Sequence, residues 1–293
     1  MQKPVVAIIG ATSFIGSLVI DQLLKSGYSV IAYTRKPRCN YSKIEDLEWR
    51  PIAELSCPQR QVENIDTWLC LAPIWVMADY LPLLEPFGIK YLVAISSTSR
   101  FTKLDSGLLH ERRVAQKIAK AENLIERWVV EVGGKCIVLR TTLIYGRKGD
   151  ENIASMVKFI KRFGFFPVLG RGNGLRQPLH AKDLSGLIQT ALNEIHATSM
   201  CYQGFNVGGR SMQYKDMVRL VFSRLGKLPI IVAIPKRLFL LCIKCMSLIP
   251  AYRGFNTEMV MRMEKDLYFD TSEVEQALGF SPKDFYLEDE DLL

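Results

Sequence analysis

The segment Gly10-Ala11-Thr12-Ser13-Phe14-Ile15-Gly16 carries the residue types that cradle two linked phosphates. Gly10 allows a tight turn out of the apolar, β-branched run Val5-Val6-Ala7-Ile8-Ile9, and Gly16 lets a helix pack close to that strand. Ile15, Leu18, Val19 and Leu23 then recur at helical spacing. Amides at the start of such a helix, with the positive end of its dipole, face a pyrophosphate. Ser13 stands where the middle glycine of the usual three would be. Strand, glycine turn and helix together predict a dinucleotide site at Gly10, Thr12, Ser13, Phe14, Ile15 and Gly16. A tight turn without a ligand is the other reading of the same residues.

The next β-type run, Tyr28-Ser29-Val30-Ile31-Ala32-Tyr33, ends in Thr34-Arg35-Lys36. An acidic residue there would hold the ribose hydroxyls of NAD(H) and repel a 2′-phosphate. A guanidinium clamps that phosphate through two parallel hydrogen bonds. The residues therefore favour NADP(H) over NAD(H), with Arg35 as the phosphate contact and Thr34 and Lys36 beside it. An ordinary basic loop is the alternative.

Strand and helix signals alternate through the first half. Strands are expected at 67–73, 91–95 and 135–140, helices at 77–85 and 108–131, and irregular chain over 37–60. This order predicts a doubly wound parallel α/β sheet. Ligands on such sheets sit beyond the carboxyl ends of the strands, where Ser13, Arg35, Ala72, Ser97 and Thr142 fall. Beyond these come an expected helix at 152–163, a glycine-rich loop at 164–174, a short strand at 204–207 and a frayed acidic tail from 288. Two domains are expected. Residues 1–150 form the NAD(P)-binding unit, and 151–293 form mainly a substrate lobe, with segments near 180–210 returning to the sheet.

The chain of 293 residues is 48% hydrophobic and 23% charged, values of a globular protein with one large core or a core and a smaller lobe. It runs directly into a strand, so no secretory leader is expected. Its 7 cysteines lack framework spacing, which suits a reducing cytoplasm. The net charge of +8 is spread along the chain without aromatic-interleaved basic motifs. Anionic small ligands account for it better than nucleic acid does. The apolar stretch 228–249 is interrupted by Pro229, Pro235, Lys236, Arg237 and Lys244, which argues against a spanning helix. Over 236–249, core or subunit packing is expected first and a peripheral membrane contact second. A homodimer is likewise an expectation. The 3 histidines are isolated from one another and from paired acids, so no metal site is expected.

Several landmarks then match in order: Gly10-Ala11-Thr12 with Ile15-Gly16; Leu71-Ala72-Pro73; Ile95-Ser96-Ser97-Thr98; and Leu139-Arg140 through Ile144-Tyr145-Gly146. Later come Arg176-Gln177-Pro178-Leu179-His180-Ala181-Lys182-Asp183-Leu184, Phe205-Asn206-Val207-Gly208-Gly209 and Leu278-Gly279-Phe280-Ser281-Pro282. Across nearly its whole length the chain resembles the extended short-chain dehydrogenase/reductases, NAD(P)-dependent epimerases and dehydratases of nucleotide sugars. The resemblance implies a Rossmann sheet with a smaller C-terminal substrate lobe. It places Leu71, Ala72, Pro73 and Ser96 at the cofactor, and Arg176 on a sugar-nucleotide diphosphate with Asn152 as a hydrogen-bonding partner.

The resemblance also implies a catalytic trio. A tyrosine phenol exchanges a proton with the sugar oxygen, a lysine four residues later lowers the phenol's pKa, and a hydroxyl binds the same oxygen. Thr98 fits the hydroxyl position, with Ser97 as the neighbour one residue away. The tyrosine is missing, since none occurs between Tyr91 and Tyr145. Its place falls at Arg113 or Val114, and the lysine's at Lys117 or Ile118. Arg113 would stabilise an oxyanion near the substrate, and Lys117 would keep the lysine. Two functions follow. One is an NADP(H)-linked reductase or epimerase on a nucleotide sugar, with Thr98, Ser97 and Lys117 as catalytic candidates. The other is a non-catalytic protein that keeps the dinucleotide as a structural or redox-sensing ligand.

Overall fold

The computed structural model describes residues 3–35, 44–56, 64–146, 150, 152–238 and 262–292. Strands β1 (Val5–Ile9), β2 (Ser29–Thr34), β3 (Leu47–Pro51), β4 (Thr67–Cys70), β5 (Tyr91–Ser97) and β6 (Lys135–Thr141) come first. Four short strands follow, β7 (Ile144–Tyr145), β8 (Phe166–Leu169), β9 (Leu175–Arg176) and β10 (Leu179–His180), before β11 (Tyr202–Val207) joins the main sheet as an edge strand. The central sheet has seven strands in the order β11-β6-β5-β4-β1-β2-β3. Every neighbouring pair in it is parallel. The chain therefore has a Rossmann-like α/β fold.

Alternate residues of each strand enter opposite cores, because side chains on a strand switch faces at every step. Val6 and Ile8 meet Val19 and Leu23 of α1 (Gly16–Lys25) on one face. Ala7 and Ile9 share the other face with Met77 of α2 (Ile74–Leu84). Both faces are covered, so the strands read as continuous apolar runs. The single turn α3 (Ser99–Thr102) follows β5 directly. The long α4 (Leu109–Glu131) buries Ala115, Ile118, Ala121, Glu122, Ile125 and Val129, a stripe at helical spacing.

A separate cluster joins α5 (Ile153–Phe163) to the later elements. After α6 (Ala181–Glu194) come β12 (Met212–Gln213), α7 (Tyr214–Arg224), β13 (Ile231–Ile234) and α8 (Ser272–Leu278). Ile153, Met156, Val157 and Ile160 of α5 pack with Met217, Val218, Val221 and Phe222 of α7. The Asp150 carboxylate caps α5, accepting the amides of Asn152, Ile153 and Ala154 at 2.6, 3.0 and 3.2 Å.

Three local expectations are corrected. The segment 37–60 contains β3, an edge strand paired to β2 from Val30–Leu47 to Thr34–Pro51. The loop at 164–174 contains β8, which pairs in parallel with β13. The tail from 288 is docked rather than frayed, because its acids meet bases on β10, α6 and α7. Asp291 is buried and lies 3.3 Å from His180 Nε2. Glu288 pairs with Lys182, and Asp289 lies 2.7 Å from Arg224. Lys36, Cys242 and Cys245 lie outside the described residues, as does the segment 236–249 beyond 238. Among the described residues, no helix is long and apolar enough to cross a membrane.

Candidate active site

The turn after β1 has the shape a pyrophosphate needs. Gly10 has φ of 85°, a region that favours glycine, and a Cβ there would lie 2.3 Å from the Ala72 nitrogen. A Cβ on Gly16 would lie 2.0 Å from the Ala11 carbonyl oxygen, so any side chain there would break the turn. The Ser13 amide donates to Gly10 O and the Gly16 amide to Ser13 O, both at 2.9 Å. Ser13 Oγ is buried without a hydrogen-bond partner. Such an atom is normally satisfied, and a phosphate oxygen would satisfy it. Thr12 is exposed, Phe14 half-buried and Ile15 buried beside this turn. At the end of β2, Thr34 is buried and Arg35 is exposed. These residues fit a nicotinamide dinucleotide.

A cavity of about 680 Å³ opens at the carboxyl edge of the sheet. Leu71, Ala72 and Pro73 form one wall, and Ser96, Ser97 and Thr98 another. Ser96 Oγ is turned to α4, where it donates to Glu122 at 2.5 Å. Glu122 also receives Arg100 and, at 2.8 Å, Arg140. Thr98 is buried, with Oγ1 donating to the Thr141 carbonyl at 3.2 Å. Ser97 Oγ accepts the Ser99 amide at 3.1 Å, a contact that leaves its own proton unused.

The phase of α4 decides between the residues left open by the sequence. Val114 and Ile118 line the cavity, four residues apart, while Arg113 and Lys117 are exposed and absent from its wall. One step along a helix rotates a side chain by about 100°, so the two sets cannot share a face. The expectation for Arg113 at the substrate and Lys117 at the reacting oxygen is corrected on this ground. Two aliphatic side chains face the cavity where the resemblance implies tyrosine and lysine.

Asn152 and Arg176 reach the far side of the cavity. The buried Arg176 guanidinium donates to the carbonyls of Leu175 at 2.6 Å and Lys265 at 2.9 Å, and also to that of Arg262. Its carbon lies 5.3 Å from the Tyr214 ring centre. Burial lowers the pKa of Arg176 and pushes the Tyr214 phenol up to about 12. Lys103 and Arg262 also line the cavity, and sequence reasoning missed both. Behind them sits the buried Glu111. It accepts Arg262 at 2.8 and 3.0 Å and Ser106 Oγ at 2.6 Å. Burial would raise its carboxyl pKa, but these hydrogen bonds and the nearby cations outweigh that and hold it below the ordinary value. Tyr145, whose hydroxyl donates to the Tyr286 carbonyl at 2.9 Å, is a buried structural residue.

No protein-family profile matches the chain. No curated protein matches it in sequence. Solved structures do match its fold. A UDP-N-acetylglucosamine 4-epimerase from Bacillus cereus superposes with a TM-score of 0.71 at 16% identity, covering 97% of this chain and 95% of that one. A UDP-glucuronic acid 4-epimerase from the same organism, in complex with NAD, gives 0.69 at 16% identity, with 98% and 95% covered. A Thermotoga maritima UDP-glucose 4-epimerase with UDP-glucose gives 0.66 at 17%, with 95% and 94% covered. The chain thus has the fold of the UDP-sugar 4-epimerases along nearly its whole length.

Proposed function

We propose that this chain is an extended short-chain dehydrogenase/reductase that binds NADP(H) and a nucleotide-linked sugar. It would act by 4-keto reduction or epimerisation without a tyrosine–lysine pair. The contact between Gly10 and Ala72 carries this reading. It makes the phosphate-cradling turn and the cavity share one wall, as a cofactor and a substrate that exchange hydride require. The fold match to epimerases that hold NAD and UDP-sugars supports it. The bound dinucleotide supplies or accepts the hydride. Arg35 clamps the 2′-phosphate, and Ser97 and Thr98 orient the sugar oxygen. These hydroxyls relay to or from solvent water the proton that accompanies the hydride, and Val114 and Ile118 form the aliphatic wall beside them. The reading places the protein in the cytoplasm.

A second reading rests on that same aliphatic pair. With no phenol or amine on α4 facing the cavity, the chain would hold its dinucleotide as a structural or redox-sensing ligand without turnover. The two readings separate on purified protein. Mass spectrometry identifies any retained dinucleotide, and absorbance follows NADPH oxidation with UDP- and dTDP-linked 4-keto sugars. Oxidation supports the first reading, and retained NADPH without oxidation on any of these sugars supports the second. No binding of NADPH, NADH or any sugar nucleotide at millimolar concentration would overturn both.

A further inference from the structure

Among the described residues, every charged side chain on the cavity wall is cationic: Lys103, Arg176 and Arg262. Two of the three are already engaged. Arg176 donates to backbone carbonyls, and Arg262 donates to both oxygens of Glu111. Lys103 differs. Its Nζ lies 4.0 Å from Glu111 Oε1, an ion-pair distance beyond hydrogen-bond reach, and it makes no side-chain hydrogen bond among the described residues. Glu111 is satisfied by Arg262 and Ser106, so it positions the Lys103 ammonium without taking up its donors.

An ammonium with open donors, on a wall that also carries Val114, Ile118 and Phe269, can turn those donors to an acceptor on a bound ligand. Lys103 closes the single turn α3, whose N-terminal cap is Thr98. At about 1.5 Å of rise per residue, its backbone lies only ~8 Å from Thr98, and its long side chain can cover that gap. A sugar whose reacting oxygen meets Thr98 therefore has the substituent on its next ring carbon within reach of the ammonium. A hydroxymethyl group offers it one neutral acceptor, whereas a carboxylate offers two charged ones.

We propose that Lys103 is a specificity residue that selects a nucleotide-linked uronic acid over the corresponding neutral sugar. The inference rests on the sugar-nucleotide reading above and names its substrate class.

Isothermal titration of the full chain with UDP-glucuronic acid and UDP-glucose tests it. The wild type is expected to bind the uronate about tenfold more tightly, in line with a hydrogen bond to a charged group. Lys103→Met should weaken UDP-glucuronic acid about tenfold and change UDP-glucose less than about twofold. Lys103→Gln, which keeps a donor without charge, should also lose the preference. Both variants should melt near the wild type, since Glu111 keeps Arg262 and Ser106. Equal wild-type affinities, or equal losses for both ligands in the variants, would overturn the role of Lys103 and leave the sugar-nucleotide reading standing. Binding of neither UDP-sugar by the wild type overturns that reading and this inference together.

Discussion

Arg262 Nη1 donates to both carboxylate oxygens of Glu111, at 3.0 and 2.8 Å, across 151 residues of chain. The bond fastens the first turn of α4 to Arg262 on the cavity wall. Glu111→Gln leaves the half-buried guanidinium short of its counter-charge, and it should lower stability by about 2 kcal/mol in urea unfolding. Its folded pKa lies below the ordinary 4.5, so its contribution is fully present above that value. That contribution is lost as the pH falls through the folded pKa. The Gln variant should therefore lose less stability than wild type on acidification below about pH 4.5.

Arg35→Ala should weaken NADPH at least about tenfold and leave NADH nearly unchanged, because only the 2′-phosphate needs the guanidinium. Fluorescence titration with both reduced dinucleotides checks this. Equal losses for the two would remove the clamp role.

Substitutions on α4 should divide by face. Arg113→Ala and Lys117→Ala point away from the cavity and should each change ligand affinity and stability by under about 0.5 kcal/mol. Val114→Tyr combined with Ile118→Lys places a phenol and an amine on the cavity wall. The pair should raise the rate of NADPH oxidation with a 4-keto nucleotide sugar by about a hundredfold if the cavity aligns hydride and ketone as proposed. No gain with intact binding would show that the alignment is absent.

Asp291→Ala strands the buried His180 Nε2 and should cost about 2 kcal/mol, read as a lower thermal midpoint. Dinucleotide affinity should hold, because the pair lies with the C-terminal elements rather than at the Gly10 turn.

The sheet was legible because its central strands are buried on both faces and so read as apolar runs between turn signals. β3 was not, since Leu47-Glu48-Trp49-Arg50-Pro51 is an edge strand that tolerates charge and a terminal proline. β8 hid for a similar reason, with Pro167 inside it. The docked tail depends on His180, Lys182 and Arg224, partners that no local pattern announces. At the site, Ser97 and Thr98, which lie on the cavity wall, were picked out by the family resemblance, whereas the glycine turn could be found from spacing. The phase of α4 could not, because basic and aliphatic residues alternate across Arg113, Val114, Lys117 and Ile118. Lys103 and Arg262 escaped for want of α3 and of the long-range bond to Glu111.

Arg176 already has a ligand, and that ligand is the protein's own peptide chain. The carbonyls of Leu175, Arg262 and Lys265 take three of its five N–H donors, two on Nη1 and one on Nη2. An incoming anion can accept from the remaining two, so the three carbonyls aim the guanidinium in advance and the anion need not break them. The guanidinium's orientation is thus settled before any ligand arrives, at no entropic cost to the binding step.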